Sequence, residues 1–420
     1  MSRNQQARDT ADHRVHFDLD SILHENVRNV RGSGIRELLK LTESPDIISF
    51  AGGIPDPAVF PFEEIEEAFE KLRHDRSLFA RGLQYSSIEG YPPLRDWIAR
   101  HMRRIGVDAT RENILVTSGS QQALDLCARM LLKPGDRLAV EAPTYLGALQ
   151  AFSVHAPHYT KLDRHIEPNH RLAYVVPEYS NPTGHTWPAL DRRELIASLG
   201  RSRTFLIEDA AYHSLGFSGG AHQSLQALDS HADGLENVRT IFCGTFSKTY
   251  VPGFRLGWVC APVSIIDKLT LLKQGCDLNS SALAQMLLVE LLLDGYEARL
   301  DMLRLHYRRR RDLMLSALAA HMPAEVKWNI PEGGLFVWLT LPREIDADRL
   351  LEHAVRKGVG YVPGSAFYAV DVKANTIRLS YSSADLDTID EGIRKLAVLL
   401  GDPPVSAREP TARIPLAAEI

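Results

Sequence analysis

An α/β fold on a mostly parallel sheet is predicted for this chain by three observations. Between residues 111 and 257, short apolar runs alternate with turns containing Gly, Pro, Asn or Asp and with helical stretches. The runs are aliphatic or β-branched without clean alternation, as expected of strands covered by helices on both faces. Beyond residue 264 the pattern changes to long helices and then to two alternating segments, which predicts a second, smaller α+β unit.

Residues 1–26 are expected to form a flexible arm, because the first sixteen are polar, mixed in charge and without the apolar stretch of a signal peptide. Residues 27–75 are expected to pack with the small unit. Residues 63–73 read as an amphipathic helix in that segment, as do 93–104 farther on. The large domain is placed at 76–305, with strands at 113–117, 137–141, 172–176, 204–207, 240–243 and 256–260. Near its end Leu283, Met286, Leu287 and Glu290 recur at helical spacing. The small domain is placed at 306–400 with strands in GGLFVWL (333–339) and TIRLSY (376–381), and 401–420 reads as a solvated tail.

With 420 residues, 45% of them hydrophobic, the chain can bury a large core, which excludes disorder and fibre. A net charge of −5 with no basic run excludes nucleic acid and anionic membranes as partners. The most apolar stretch, 282–293, is too short for a bilayer, which needs roughly 20 residues. Cys127, Cys243, Cys260 and Cys276 form no Cys-x-x-Cys pair and no disulfide framework, so a cytoplasmic protein without a metal site is expected.

Four polar clusters sit at predicted strand ends, where α/β sheets collect ligands. Thr117-Ser118-Gly119-Ser120-Gln121-Gln122 opens a helix with free backbone N–H groups, a phosphate cradle or a plain serine cap. It is neither Gly-x-Gly-x-x-Gly nor a Gly-Lys-Thr loop, which argues against dinucleotides and nucleoside triphosphates. Asn181 lies in an Asn-Pro-Thr-Gly turn that could be a simple loop. Asp209 follows a buried strand, with Tyr212 three residues on, and needs a partner, be it a ligand, a salt bridge or a cap. Thr245, Ser247 and Lys248, with Arg255 seven residues later, form the most telling cluster. Lysine forms Schiff bases with aldehydes, and arginine among hydroxyls suits a phosphate ester. An aldehyde-binding amine, a phosphate cradle, an anion for a pyridinium nitrogen and donors for a phenolate together describe pyridoxal 5'-phosphate.

These motifs, with ISFAGGIPDPAVFP (48–61), LQYSSIEGYPPLR (83–95), EAPTYLGAL (141–149), VPGSAFY (362–368) and IRLSYS (377–382), resemble the fold-type I, class I/II aminotransferases, in the aminoadipate/kynurenine branch. The likeness runs from about 27 to 399. It implies a mostly parallel seven-stranded sheet between helices and a ping-pong aminotransferase, with a PLP-dependent oxidase, lyase or cyclase as the alternative on the same scaffold. It further implies that Lys248 bonds the cofactor aldehyde and later moves the proton between Cα and C4', and that Asp209 pairs with the ring nitrogen. Tyr145 would stack on the ring unless it is core packing, and Asn181 and Tyr212 would bind the phenolic oxygen. Ser120, Gln121, Thr245, Ser247 and Arg255 would hold the phosphate, with Tyr85 reaching it from the other subunit of a homodimer that shares its active sites. Arg378 would clamp the substrate α-carboxylate near Gly53 and Asn181, unless it is a structural ion pair. Ser33 and Arg36 would meet the distal carboxylate of glutamate or a 2-aminoadipate-like donor, unless Arg36 is a solvated surface residue. Ser180 stands where many relatives carry Gln. With no helix-turn-helix and no basic patch, the chain is not expected to be one of the DNA-binding regulators that carry this fold.

Overall fold

A computed structural model of the chain describes residues 18–24, 44, 46–218, 222–293 and 295–401. The strands are β1 (Ile48–Ser49), β2 (Ile114–Thr117), β3 (Arg137–Val140), β4 (His158–Lys161), β5 (Leu172–Val175), β6 (Phe205–Asp209), β7 (Thr240–Thr245), β8 (Gly257–Cys260), β9 (Lys327–Trp328), β10 (Phe336–Thr340), β11 (Val359–Gly360), β12 (Val362–Pro363) and β13 (Thr376–Ser380). The helices that matter here are α1 (Phe62–His74), α2 (Arg76–Gly82), α3 (Pro92–Arg104), α4 (Ser120–Leu131), α5 (Leu146–Ser153), α6 (Ala189–Gly200), α7 (Leu225–Asp233), α8 (Val263–Gln274), α9 (Ala282–Leu293), α10 (Tyr296–His321), α11 (Ala347–Arg356) and α12 (Ile389–Gly401).

The central sheet has seven strands in the order β2-β8-β7-β6-β5-β3-β4. Only β8 runs against the others. Strands β2, β5 and β7 are buried along their whole length, which is why their sequences are continuous apolar runs rather than alternating ones. The predicted α/β architecture is therefore the observed one. Strand β4, HYTK, lies outside the predicted runs: it is an edge strand with exposed ends, so nothing requires it to be apolar.

A second sheet, β12-β13-β10-β9, is antiparallel. The short strand β1 pairs in parallel with β11, which carries the chain from Phe50 to Gly53 across to this smaller unit. There the Ser380 N–H donates to the Phe50 carbonyl at 2.8 Å. Cys127, Cys243 and Cys260 are buried and all four cysteines are free. Among the described residues no helix is long and apolar enough to cross a membrane.

Candidate active site

Because β8 runs backwards, its first residues lie at the same sheet edge as the last residues of β2, β7, β6, β5 and β3. In strand order that edge presents the 119–121 turn after β2, Arg255 before β8, Thr245 to Lys248 from β7, Asp209 and Tyr212 from β6, Asn181 after β5 and Tyr145 after β3. Residues scattered over more than a hundred positions thus follow one another along one sheet edge, the edge at which open α/β sheets bind ligands.

At the β2–β8–β7 end the surroundings suit an anion. Gly119 has φ +84°, and a Cβ there would stand 2.6 Å from Nη2 of Arg255, so only glycine lets the guanidinium close on this turn. Arg255 itself has φ 51°, a conformation costly for a non-glycine residue and one that concentrates at functional sites. Helix α4 begins at Ser120 with its free N–H groups and positive dipole end at this point. Thr245 Oγ1 lies 3.0 Å from Ser247 Oγ and accepts the Ser247 N–H at 3.1 Å. The carboxamide of Gln121 donates to the Gly147 carbonyl at 2.6 Å, so this side chain braces the start of α5.

At the centre, Lys248 Nζ donates to the Gly53 carbonyl at 2.9 Å and lies 5.8 Å from the centre of the Tyr212 ring. Burial, helped by the charges of Arg378 and Arg255 and opposed by Asp209, lowers its pKa to about 8. Asp209 is buried, and burial lifts its carboxyl to about 6 despite hydrogen bonds from the Tyr174 hydroxyl at 2.7 Å and the Ala211 N–H at 3.3 Å. Tyr212 is hydrogen-bonded to Asn181, and its phenol is pushed up chiefly by burial. Tyr145 lies against Gly147, where a Cβ would come within 2.5 Å of its ring.

Beside the lysine, Arg378 is buried on β13. Its Nη1 donates to Asn181 Oδ1 at 2.8 Å and its Nη2 to the Ala51 carbonyl at 2.6 Å, while its Nε has no partner. The guanidinium lies between two rings, 4.5 Å from the centre of Phe336 and 5.0 Å from that of Phe367. Gly53 completes the floor: a Cβ there would stand 2.8 Å from Phe336 Cζ and 3.9 Å from Arg378 Nη1.

The structure thus brings together Gly53, Ser120, Gln121, Tyr145, Asn181, Asp209, Tyr212, Thr245, Ser247, Lys248, Arg255 and Arg378. Tyr85 is 79% exposed on the turn after α2 and stands on the surface rather than among them. Ser33 and Arg36 lie outside the described residues. Reasoning from sequence missed Tyr174, the Phe336 and Phe367 pair and the Ala51 carbonyl. Of these only Tyr174 left a signal, since a tyrosine inside a buried strand needs a hydrogen-bond partner.

The residues fit a phosphate ester that carries an aldehyde and a basic ring nitrogen. The amine of Lys248 is bonded to a neutral carbonyl, the buried Arg378 Nε has no partner, and the buried Asp209 carboxylate feels the charge of Lys248. A family model described as aminotransferase class I and II matches residues 45–396. The chain is 40% identical over 380 residues to a 2-aminoadipate transaminase of Thermus thermophilus, covering 87% of this chain and 93% of that one. It is 39% identical over 401 residues to an aromatic-amino-acid aminotransferase of Thermococcus litoralis, covering 91% and 94%. Among solved structures, a Pyrococcus horikoshii kynurenine aminotransferase in complex with PMP superposes with a TM-score of 0.84 at 40% identity, covering 91% of this chain and 98% of that one.

Proposed function

The chain belongs to the class I and II aminotransferases, whose cofactor is pyridoxal phosphate, and from that premise we propose that it passes the amino group of glutamate or a 2-aminoadipate-like donor to a 2-oxo acid by a ping-pong mechanism. The bound cofactor supplies an electron-poor ring that takes up the electron pair released when the substrate Cα–H bond breaks. Ser120, Gln121, Thr245, Ser247 and Arg255 would hold the phosphate, and Tyr145 would pack on the ring. Asn181 and Tyr212 would donate to the phenolic oxygen, and the Asp209 carboxylate would accept the hydrogen bond of the protonated ring nitrogen. Lys248, its pKa lowered to about 8, would bond the cofactor aldehyde through its unprotonated amine and would then move the proton between the substrate Cα and the cofactor's C4'. Arg378 takes the substrate α-carboxylate, with Gly53 leaving the space for it.

One observation carries this reading: a buried arginine whose Nε has no partner acts through space on a buried lysine whose pKa is lowered. Both are tied to the same three residues of chain, Arg378 to the Ala51 carbonyl and Lys248 to that of Gly53. The donor class is supported by the 2-aminoadipate transaminase relative and by the spacing of Ser33 and Arg36 in the sequence. The test is steady-state kinetics with a panel of amino acids against 2-oxoglutarate. Highest kcat/KM for 2-aminoadipate, and a fall of about tenfold or more for it but not for an apolar donor in Arg36→Ala, is expected for a charged contact. Equal losses for both donors would remove Arg36 from the pocket.

A further inference from the structure

Strand register places Tyr174 opposite Ile207 and Val175 opposite Glu208. Asp209, two residues beyond Ile207, therefore projects from the same face of the sheet as Tyr174, one step farther along. The tyrosine is fully buried and its ring is fixed by an edge-to-face contact with Phe152, centroids 5.4 Å apart. Its hydroxyl reaches Asp209 Oδ2 at 2.7 Å, while Oδ1 takes the longer bond from the Ala211 N–H at 3.3 Å. Lys248, Glu141, Tyr145, Tyr212 and Cys243 also face Asp209 and act on it through space, whereas its hydrogen bonds come from Tyr174 and Ala211.

The geometry points to Tyr174 as a positioning residue for the reaction: its hydroxyl, donating to Asp209, keeps the carboxylate aimed and anionic so that the proton stays on the cofactor's ring nitrogen. The inference rests on Asp209 being the partner of that nitrogen. A carboxylate has lone pairs enough for Tyr174, Ala211 and the ring nitrogen together. Without the phenol it becomes more basic and draws the proton toward itself, and a less positive ring is a weaker electron sink. Tyr174 is fully buried against Phe152, and its phenol is the side-chain hydroxyl that reaches Asp209 among the described residues.

The experiment compares Tyr174→Phe, Asp209→Asn and the unaltered enzyme, each loaded with pyridoxal phosphate, by the pH midpoint of the visible absorbance change and by kcat and KM. A positive ring nitrogen lowers the midpoint of the lysine-derived nitrogen, so Tyr174→Phe should raise that midpoint by roughly one pH unit. It should also cut kcat about tenfold with KM for the amino acid little changed. A merely structural role would lower the melting temperature and leave the midpoint where it was. If Asp209→Asn moves midpoint and kcat while Tyr174→Phe matches the unaltered enzyme, the role of Tyr174 is overturned and that of Asp209 stands. If Asp209→Asn moves neither, the reading beneath the inference falls with it. Should Tyr174→Phe not fold, 3-fluorotyrosine at position 174, a stronger donor, should move the midpoint downward, and no movement would overturn the inference.

Discussion

Lys248 owes its pKa of about 8 first to burial and then to two arginines that repel its proton, with Asp209 pulling the other way. Only the unprotonated amine attacks an aldehyde, so the rate at which cofactor-free enzyme takes up pyridoxal phosphate should climb about tenfold per pH unit below 8 and level off above it. Stopped-flow absorbance checks this; a rate still climbing at pH 10 would mean an ordinary lysine. Lys248→Ala should lose turnover by at least about 10⁴-fold, since nucleophile and base go together, and full activity in that variant would contradict the assignment. Arg378→Lys gives up a fork held by Asn181, Ala51 and two aromatic rings, and should raise the amino-acid KM about a hundredfold. Lys248 and Asp209 were legible in the sequence because polar residues at the ends of apolar runs stand out. Tyr174 signalled only that a buried hydroxyl needs a partner, and which partner was not legible, because Asp209 sits 35 residues away on the neighbouring strand.

Behind these side chains, the loops after β5 and β6 are anchored to α6 by a buried ionic cluster. Arg192 pairs with Glu178 and also donates to the carbonyls of Pro177 at 2.9 Å and Trp187 at 3.0 Å, and His213 lies 3.7 Å from Glu178. Glu208, beside Asp209, accepts the Leu225 and Gln226 N–H groups at 2.8 Å each, fixing the start of α7. Removing one partner strands a buried charge, so Arg192→Met should cost about 3–5 kcal/mol in urea unfolding. The double variant with Glu178→Gln should recover most of that loss; equal loss in single and double variants would show that packing, not charge, matters here. At this scale most strands were readable, since full burial writes itself as an apolar run. The edge strand β4 and the reversed direction of β8 were not, because neither exposure at a sheet edge nor strand polarity changes composition.

Over the whole molecule, the site lies where the segment after β1 joins the two sheets. Asp56 is paired with Arg310 and lies 3.0 Å from His306 on α10, Arg310 also reaches the Ala384 carbonyl, and the Ser382 hydroxyl donates to the Ile54 carbonyl at 2.7 Å. The segment whose carbonyls face Lys248 and Arg378 is thereby held by α10 and by the chain that follows β13. Ile54, Leu83, Tyr85 and Leu278 are large and exposed, and we expect a second copy to cover them and to bring Tyr85 to this site. Light scattering should give twice the chain mass, and a fully active monomer would refute the shared site. The most direct test of the account is to mix the cofactor-loaded enzyme, without oxygen or acceptor, with glutamate or 2-aminoadipate and follow its visible spectrum and the products. It predicts loss of the yellow form with one 2-oxo acid released per site and no further turnover until a 2-oxo acid is added. An unchanged spectrum with every amino acid, or turnover that begins only when oxygen is admitted, would contradict it.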